Sequence, residues 1–557
     1  MVNNKHFSKI IVAITSLAVI ACMLLVVFQE KVEAMVGGAG VTMEYETALF
    51  NTDEVMQVNI TMDEDEWESM LKNAISEEYY TCDVEINGAT VKNVAIRPKG
   101  NTSLSSIAMD PDTDRYSFKL EFDHFVDGQT CYGLDKLILN NSYADATNMK
   151  EAIVYDMYQF LGADASLYNY AEVYVNGEYW GVYLALEGVE QSFMLRNFGT
   201  QDGEMYKPES MGISQKGSDS KSGDMPDMGD FEPGDFKPED MPDMGDFEPG
   251  DFKPGEMPDM GDFNPGDFNP EERPSRGERR TDGDESSDRE RPSGGGEFPG
   301  GFSFGGGGAD LNYTDDDLDS YSTIWDGAIT DSSKKDHRRV VKALKNISEG
   351  NDIEKYIDVD NVLKYMAVHT FAVNMDSLSG TMAHNYYLYE YDGQLNIIPW
   401  DYNLSWGGMG AGSNDATEMV NDAIDTPFSS TEFFDELLSN EEYLNKYHEY
   451  LEQLVDEYIN GGRFDEVYER ITSQIDSLVE TDPTAFYTYE EYQSAKEVLY
   501  DVIKLRAESI SGQIAGTIPS TDEGQREDSS SLVDASHIDT SVMGHMDMGG
   551  GGDHNRP

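Results

Sequence analysis

Cysteine is almost missing from this sequence: there are three in 557 residues. That excludes a disulfide framework. Cys22 sits inside an apolar leader, which leaves Cys82 and Cys131 as one pair or as two buried thiols. Positive charge is scarce as well. Lys and Arg total 39 against 107 Asp and Glu, for a formal net charge of -68. Such a balance repels nucleic acid and anionic membrane, and it favours cationic partners or metal ions. A Walker phosphate loop, an HExxH helix and a CxxC pair are all lacking, so P-loop, zinc-protease and thiol-redox chemistry have no motif here.

Long apolar runs are confined to the start. Lys5 and Lys9 precede an uncharged stretch of nineteen residues from Ile10 to Phe28, the length of a bilayer span with a basic inner flank. Residues 1–34 are expected to be a signal or membrane anchor that leaves the rest of the chain outside the cell. A signal peptide cut near Ala34 and a lipoprotein box ending at Cys22 are the alternatives. Residues 210–309 are built from Gly, Pro, Asp, Glu, Ser and Met. They hold DMPDMGDFEPGDFKPE from Asp224, DMPDMGDFEPGDFKPG from Asp240 and EMPDMGDFNPGDFNPE from Glu256, a repeat of period 16. Several prolines per repeat forbid a helix, and so few aromatics build no core. The expectation is a disordered acidic insertion, a spacer or a weak calcium or cation binder. Ser218, Ser220, Ser222, Ser286 and Ser287 flank it as candidates for self-modification.

What remains is ordered text. Residues 42–209 read as β-rich, with strands joined at Asn87-Gly88 and Asn176-Gly177, pairs that accept positive φ. Arg97-Pro98-Lys99-Gly100-Asn101-Thr102-Ser103 reads as a basic loop of the kind that cradles phosphate. YSFKLEF sets Lys119 on a strand face with Ser117 and Glu121. NMKEAIVYDMYQFLG is a helix with Glu151 in its first turn, and a later strand ends at Glu187. Residues 310–516 read as helical. One helix, capped by Asp360, delivers Asp376 just past its end. A hairpin turned at Asp392-Gly393 brings Asp401 back towards Asp376 and Asn385. The tail, 517–557, is expected to be disordered; its His537, His545 and His554 with Met543, Met546 and Met548 are solubilising or a soft-metal catch.

Two carboxylates and an amide at one end of a hairpin suit phosphoryl transfer. One acid orients the attacking hydroxyl, while the other acid and the amide oxygen hold a magnesium ion on nucleotide phosphates. Taken singly, each is equally a turn cap or a strand end.

In order, RPKGNTS at 97–103, YSFKLEF at 116–122, VYVNGEYWGVYLALE at 173–187, GEMYKP at 203–208, Asp376, His384-Asn385-Tyr386 and PWDYN at 399–403 resemble the CotH family of atypical, secreted or spore-coat kinases. The resemblance implies an α+β, two-lobed protein-kinase-like fold, with a β-rich N-terminal lobe and a helical C-terminal lobe, interrupted by the disordered acidic insertion. It implies ATP between the lobes with Mg2+ or Mn2+, and transfer of the γ-phosphoryl group to Ser or Thr of a surface or spore-coat protein or of the chain itself. Asp376 would be the catalytic acid/base, with Asp401 and Asn385 on the metal. Lys119 would meet the phosphates, Arg97 and Lys99 would sit in the covering loop, and Trp400 near the adenine. Glu151 or Glu187 would pair with Lys119; Glu151 is preferred because ordinary kinases use a helix. The chain departs from ordinary kinases in having no HRD and no DFG, and its Asp376-to-Asn385 spacing is nine residues. The usual loop has about five. PWDYN has Asn403 where the family pattern often has a second acid, which would weaken metal binding. The competing reading is a kinase-like coat scaffold without catalysis, binding cationic partners or calcium through its acidic repeats.

Overall fold

The computed structural model describes residues 40–208, 308–410 and 416–547. All belong to one compact unit of α+β class. Seven strands close a barrel: β1 (Met56–Thr61), β2 (Tyr80–Ile86), β3 (Ala89–Lys99), β4 (Ser117–Glu121), β5 (Lys136–Asn140), β6 (Tyr168–Val175) and β7 (Glu178–Glu187). Their order is β1-β2-β3-β4-β5-β7-β6, and parallel pairing of β1 with β6, Val58 opposite Val173, closes the ring. Local text sets the hairpins. Asn87-Gly88 and Asn176-Gly177 take positive φ at both residues, the twist that two-residue hairpins need.

The strands alternate between two cores. Phe118, Leu120, Leu137, Leu139 and Ala185 point into the barrel, while Ile138, Leu184 and Leu186 join a second core outside it. That outer core holds the helical half. Among its helices are α1 (Lys150–Leu161), α2 (Lys334–Ser348), α3 (Val359–Ala372), α4 (Glu441–Gln453), α5 (Arg463–Glu480) and α6 (Tyr489–Ile514). Helices α1 and α3 are buried nearly all round, so their sequences show only a weak amphipathic stripe. A small sheet of β8 (Glu204–Tyr206), β9 (Tyr386–Tyr391) and β10 (Gln394–Pro399) completes this half, with Asp392-Gly393 as the turn of its hairpin.

Several expectations need correcting. The cap of α3 is Asp358, whose side chain accepts from the Asn361 N–H; Asp360 lies inside the first turn. Arg97 and Lys99 are strand residues of β3, not loop residues, because their register against Lys119 and Ser117 continues the ladder. Cys82 and Cys131 are separate buried thiols, each pushed up to about 12 by burial. The tail is structured through 547. Ala535, Thr540 and Met543 are buried, the Ala146 N–H donates to the Met543 carbonyl at 3.0 Å, and Met546–Asp547 pairs with Met409–Gly410. Polar text hid this because a few anchors, rather than an apolar stripe, hold the segment. Among the described residues no three His, Cys, Asp or Glu side chains gather as a metal site, and no helix is long and apolar enough to cross a membrane. The leader, the repeats with their serines, and His554 and Met548 lie outside the described residues.

One buried clamp joins barrel to helices. Arg115, at the entry to β4, donates to Asp482 at 2.8 and 3.0 Å and to Thr484 at 2.7 Å in the α5–α6 connection. The Val182 N–H of β7 donates to the same Asp482 at 2.9 Å, and the guanidinium lies 4.6 Å from the Tyr183 ring centre. Both side chains are at most 2% exposed. Removing one partner strands a buried charge, which costs about 3–5 kcal/mol. Asp482→Ala is expected to lose about that much stability in denaturant unfolding; a loss within about 0.5 kcal/mol, the size of a surface change, would remove the clamp from the fold's supports.

Candidate functional site

Helix α3 ends at Val373, held in the left-handed region at φ 47°, and the chain then turns through Asn374 to Asp376. Asn374 is nearly inaccessible, and its side-chain amide works in two directions. Its Oδ1 accepts from the Asp376 N–H at 3.2 Å, and its Nδ2 donates to the Asp401 carbonyl at 3.1 Å. One amide thus ties together the backbones of the two acids. The Asp376 carboxylate has a partner on each oxygen: His384 Nε2 lies 2.6 Å from Oδ1, and Asn385 Nδ2 donates to Oδ2 at 3.0 Å. With its amide nitrogen turned to Asp376, Asn385 points its carbonyl oxygen the other way. Both Asn385 (φ 58°) and Asp401 (φ 62°) occupy the left-handed region without being glycine. Strain of this kind persists only where surrounding contacts impose it, and it gathers at functional sites.

The second wall comes from the barrel's outer face. Lys99 Nζ donates to Asn140 Oδ1 at 2.9 Å, and Asn140 Nδ2 donates to Glu151 Oε2 at 2.9 Å. Glu151 is buried and its other oxygen, Oε1, has no hydrogen-bond partner. Burial first, and the charge of Asp401 second, raise its carboxyl to about 8; Asn140, Lys99 and the Tyr402 backbone N–H oppose the rise. Trp400 is buried between the two walls. Its ring meets Tyr387 edge-on at 5.3 Å, and Lys99 and Lys207 hold their ammonium groups 5.6 and 5.8 Å from its centre. It is a floor under two cations rather than an open face on which adenine could stack.

The structure therefore brings together Asp376, Asn385, Asp401, Glu151, Lys99 and Trp400. It sets three predicted residues elsewhere. Lys119 lies one ladder row further along the barrel face, where burial and the neighbouring Lys136 and Arg97 push its pKa well below the usual lysine range. Arg97 is paired with Glu77 and sits over Tyr79, and burial lowers it to about 10. Glu187 is fully buried in a different network, accepting from Arg196 at 2.6 Å, from the Tyr45 hydroxyl at 2.6 Å and from the Leu167 N–H at 3.1 Å. It braces the strand end and does not face Asp401. Sequence reasoning missed Asn140, Asn374 and Lys207. An asparagine closing the apolar strand KLILN, and another two residues before an aspartate, were the available signals.

A divalent cation fits this donor set in one particular way. Asp401, the Asn385 carbonyl oxygen and the unpartnered Glu151 oxygen are hard oxygen donors, but they form no complete cage. Magnesium is usually held by one or two carboxylates together with substrate phosphates and water. The residues present suit an ion that arrives with a nucleotide. G-x-S-x-G occurs once, as GFSFG at 301–305, outside the described residues and flanked by glycine where a nucleophile elbow needs a strand and a helix.

The raised Glu151 acid has a consequence for stability. Its folded pKa lies above the unfolded value, so the folded protein holds the extra proton, and stability falls as pH rises from about 4.5 to about 8. In divalent-free buffer, Glu151→Gln is expected to match wild type near the lower limit and to gain on it steadily towards the upper one in thermal unfolding. A difference that stays constant with pH would show that Glu151 is not held protonated.

Comparison with known proteins agrees with this layout. A family model described as CotH kinase protein matches residues 96–244 and 303–510, more than half of the chain, and the match includes every site residue named above. Inner spore coat protein H of Bacillus subtilis (strain 168) is 23% identical over 167 residues, covering 30% of this chain and 44% of that relative. The matched stretch is thus under half of the relative's length. With its strand cations, its Asp376–Asn385 turn and its PWDYN run all inside the matched segments, the chain belongs to the CotH kinase protein family.

Proposed function

We propose that this chain is a Mg-ATP-dependent protein kinase that transfers the γ-phosphoryl group to serine or threonine of a surface or spore-coat protein. The barrel would act as the nucleotide lobe and the helical half as the catalytic lobe of a kinase-like pair. The observation that carries the reading is the Asn374 amide, which bonds to both Asp376 and Asp401 and so fixes the two acids relative to one another. The name of the Bacillus relative, an inner spore coat protein, supports a coat setting.

The roles follow from position. Asp376 accepts the proton of the acceptor hydroxyl as its oxygen bonds to the γ-phosphorus and the bridging bond to ADP breaks. His384 and Asn385 hold the carboxylate in place for this. Asp401 and the Asn385 oxygen would hold the magnesium ion, which neutralises phosphate charge. Lys99, tethered through Asn140 to Glu151, takes the phosphate role first expected of Lys119, and Lys207 adds a second cation over Trp400. Positioning and charge neutralisation are most of what phosphoryl transfer asks of a protein. The scaffold reading gives no reason for Asp376 and the strained Asp401 to be cross-tied.

The test uses residues 35–557 with labelled ATP, magnesium and a Ser-rich coat peptide. Wild type is expected to transfer label; Asp376→Asn and Asp401→Asn are expected to fall at least about 100-fold, and Lys99→Ala at least about tenfold. Equal labelling by wild type and Asp376→Asn would overturn the assignment, and no transfer by wild type would favour the scaffold.

A further inference from the structure

Beneath the two acids lies a histidine that the reaction as described does not use. His369, on α3, is 2% exposed. Its Nε2 lies 2.7 Å from Ser379 Oγ and 3.2 Å from Ser377 Oγ, and its Nδ1 lies 3.1 Å from the Tyr402 hydroxyl. Ser377 directly follows Asp376, and Tyr402 directly follows Asp401. The imidazole therefore spans the two loops from below. The chain continues on both sides: Tyr402 meets the Tyr158 hydroxyl of α1 at 2.6 Å, and both serine hydroxyls donate to the Asn374 carbonyl, at 2.8 and 3.2 Å. Asn374 is the residue whose amide ties the acids from above.

Donor counting orders the network. Burial pushes the imidazole down to about 3, so it is neutral, with one donor and one acceptor. With Ser377 and Ser379 donating to the Asn374 carbonyl, their oxygens are placed to accept from Nε2–H. Nδ1 then accepts from Tyr402, which accepts in turn from Tyr158. In this arrangement every member has a partner, and such a connected buried network holds its ends rigidly. It joins the Asp376 loop, the Asp401 loop and the helix that carries Glu151.

We infer that His369 is a positioning residue that sets the separation between Asp376 and Asp401, so that acceptor-side and metal-side groups act at one distance. This rests on the proposed kinase reading. His369 touches neither nucleotide nor acceptor; it works through Ser377 and Ser379 on one side and Tyr402 on the other.

Substitution can separate this role from simple packing. The ring is stacked between Tyr365 and Phe428, at 5.5 and 5.2 Å between centres, so His369→Phe keeps the ring and deletes both nitrogens. His369→Gln restores one donor and one acceptor. The readouts are kcat and KM for ATP, and Mn2+ affinity by electron paramagnetic resonance with a non-hydrolysable ATP analogue, which needs no turnover. His369→Phe is expected to lower kcat and weaken Mn2+ each about 10–100-fold, with KM for ATP changed less than about threefold. His369→Gln is expected to recover most of both. Tyr402→Phe should reproduce the Mn2+ loss, while Ser377→Ala with Ser379→Ala should reproduce the kcat loss and leave Mn2+ binding intact. Wild-type kcat and Mn2+ affinity in His369→Phe would overturn the inference, as would a Gln variant no better than Phe. Should His369→Phe melt below the assay temperature, the Tyr402→Phe and serine variants decide by the same split. Absence of transfer in wild type would strike the kinase reading alone, because the Mn2+ measurements still test the positioning role.

Discussion

A buried acid set beside a second, half-buried one sets the terms for this molecule. Glu151 enters from the first turn of a helix that is buried on almost every side, and Asp401 from the end of a hairpin, where its charge makes Glu151 harder to ionise. Proteins keep such pairs only when something fixed compensates them. Here that is Lys99 through Asn140 and the Tyr402 backbone, while one Glu151 oxygen is left without a hydrogen-bond partner. The arrangement makes sense around a cation. It also explains why so much structure converges there: β3 and β5 supply Lys99 and Asn140, α3 supplies the turn to Asp376, and the β9–β10 hairpin supplies Asp401.

Rigidity at this corner comes from further out. The Arg115–Asp482 clamp fixes the barrel to the helical half. The C-terminal segment crosses the loop after Asp401 and the approach to α1, where Gly544 (φ 80°) sits so close to the Ala144 carbonyl that a Cβ would lie 2.7 Å from it. Asn374 and His369 tie the acids from above and below. Left-handed φ values at Val373, Asn385 and Asp401 show that the turns are held against their own preference.

Much of this was legible in the sequence, and the failures share a cause. Hairpin turns at Asn87, Asn176 and Asp392 declare themselves, because positive φ at two successive residues demands those side chains. Helix α3 and its delivery of Asp376 follow from an apolar run with an N-cap, though the cap was misplaced by two residues. Asp376, Asn385 and Asp401 do converge. What local text does not carry is register. Lys119 on β4 and Lys99 on β3 share a face of the barrel, and only the offset between the strands decides which of them reaches Asn140 and through it Glu151. The preference for Glu151 over Glu187 rests in the sequence on analogy alone; in the fold Arg196 occupies Glu187. Barrel closure by β1 and β6 pairs residues more than a hundred apart. The bridging amides, Asn140 and Asn374, were invisible because an asparagine in isolation looks like a turn former. The ordered tail looked like solvent-facing sequence because its anchors are few.

A crystal of residues 35–557 grown with Mn2+ and a non-hydrolysable ATP analogue, with anomalous scattering recorded for manganese, tests the central claim most directly. The expected result is a manganese peak in inner-sphere contact with Asp401 and the Asn385 oxygen, the analogue's phosphates beside Lys99, and the Asp376 carboxylate facing the terminal phosphate. Manganese bound away from Asp401, or phosphates seated on Lys119 and Arg97 instead of Lys99, would contradict it.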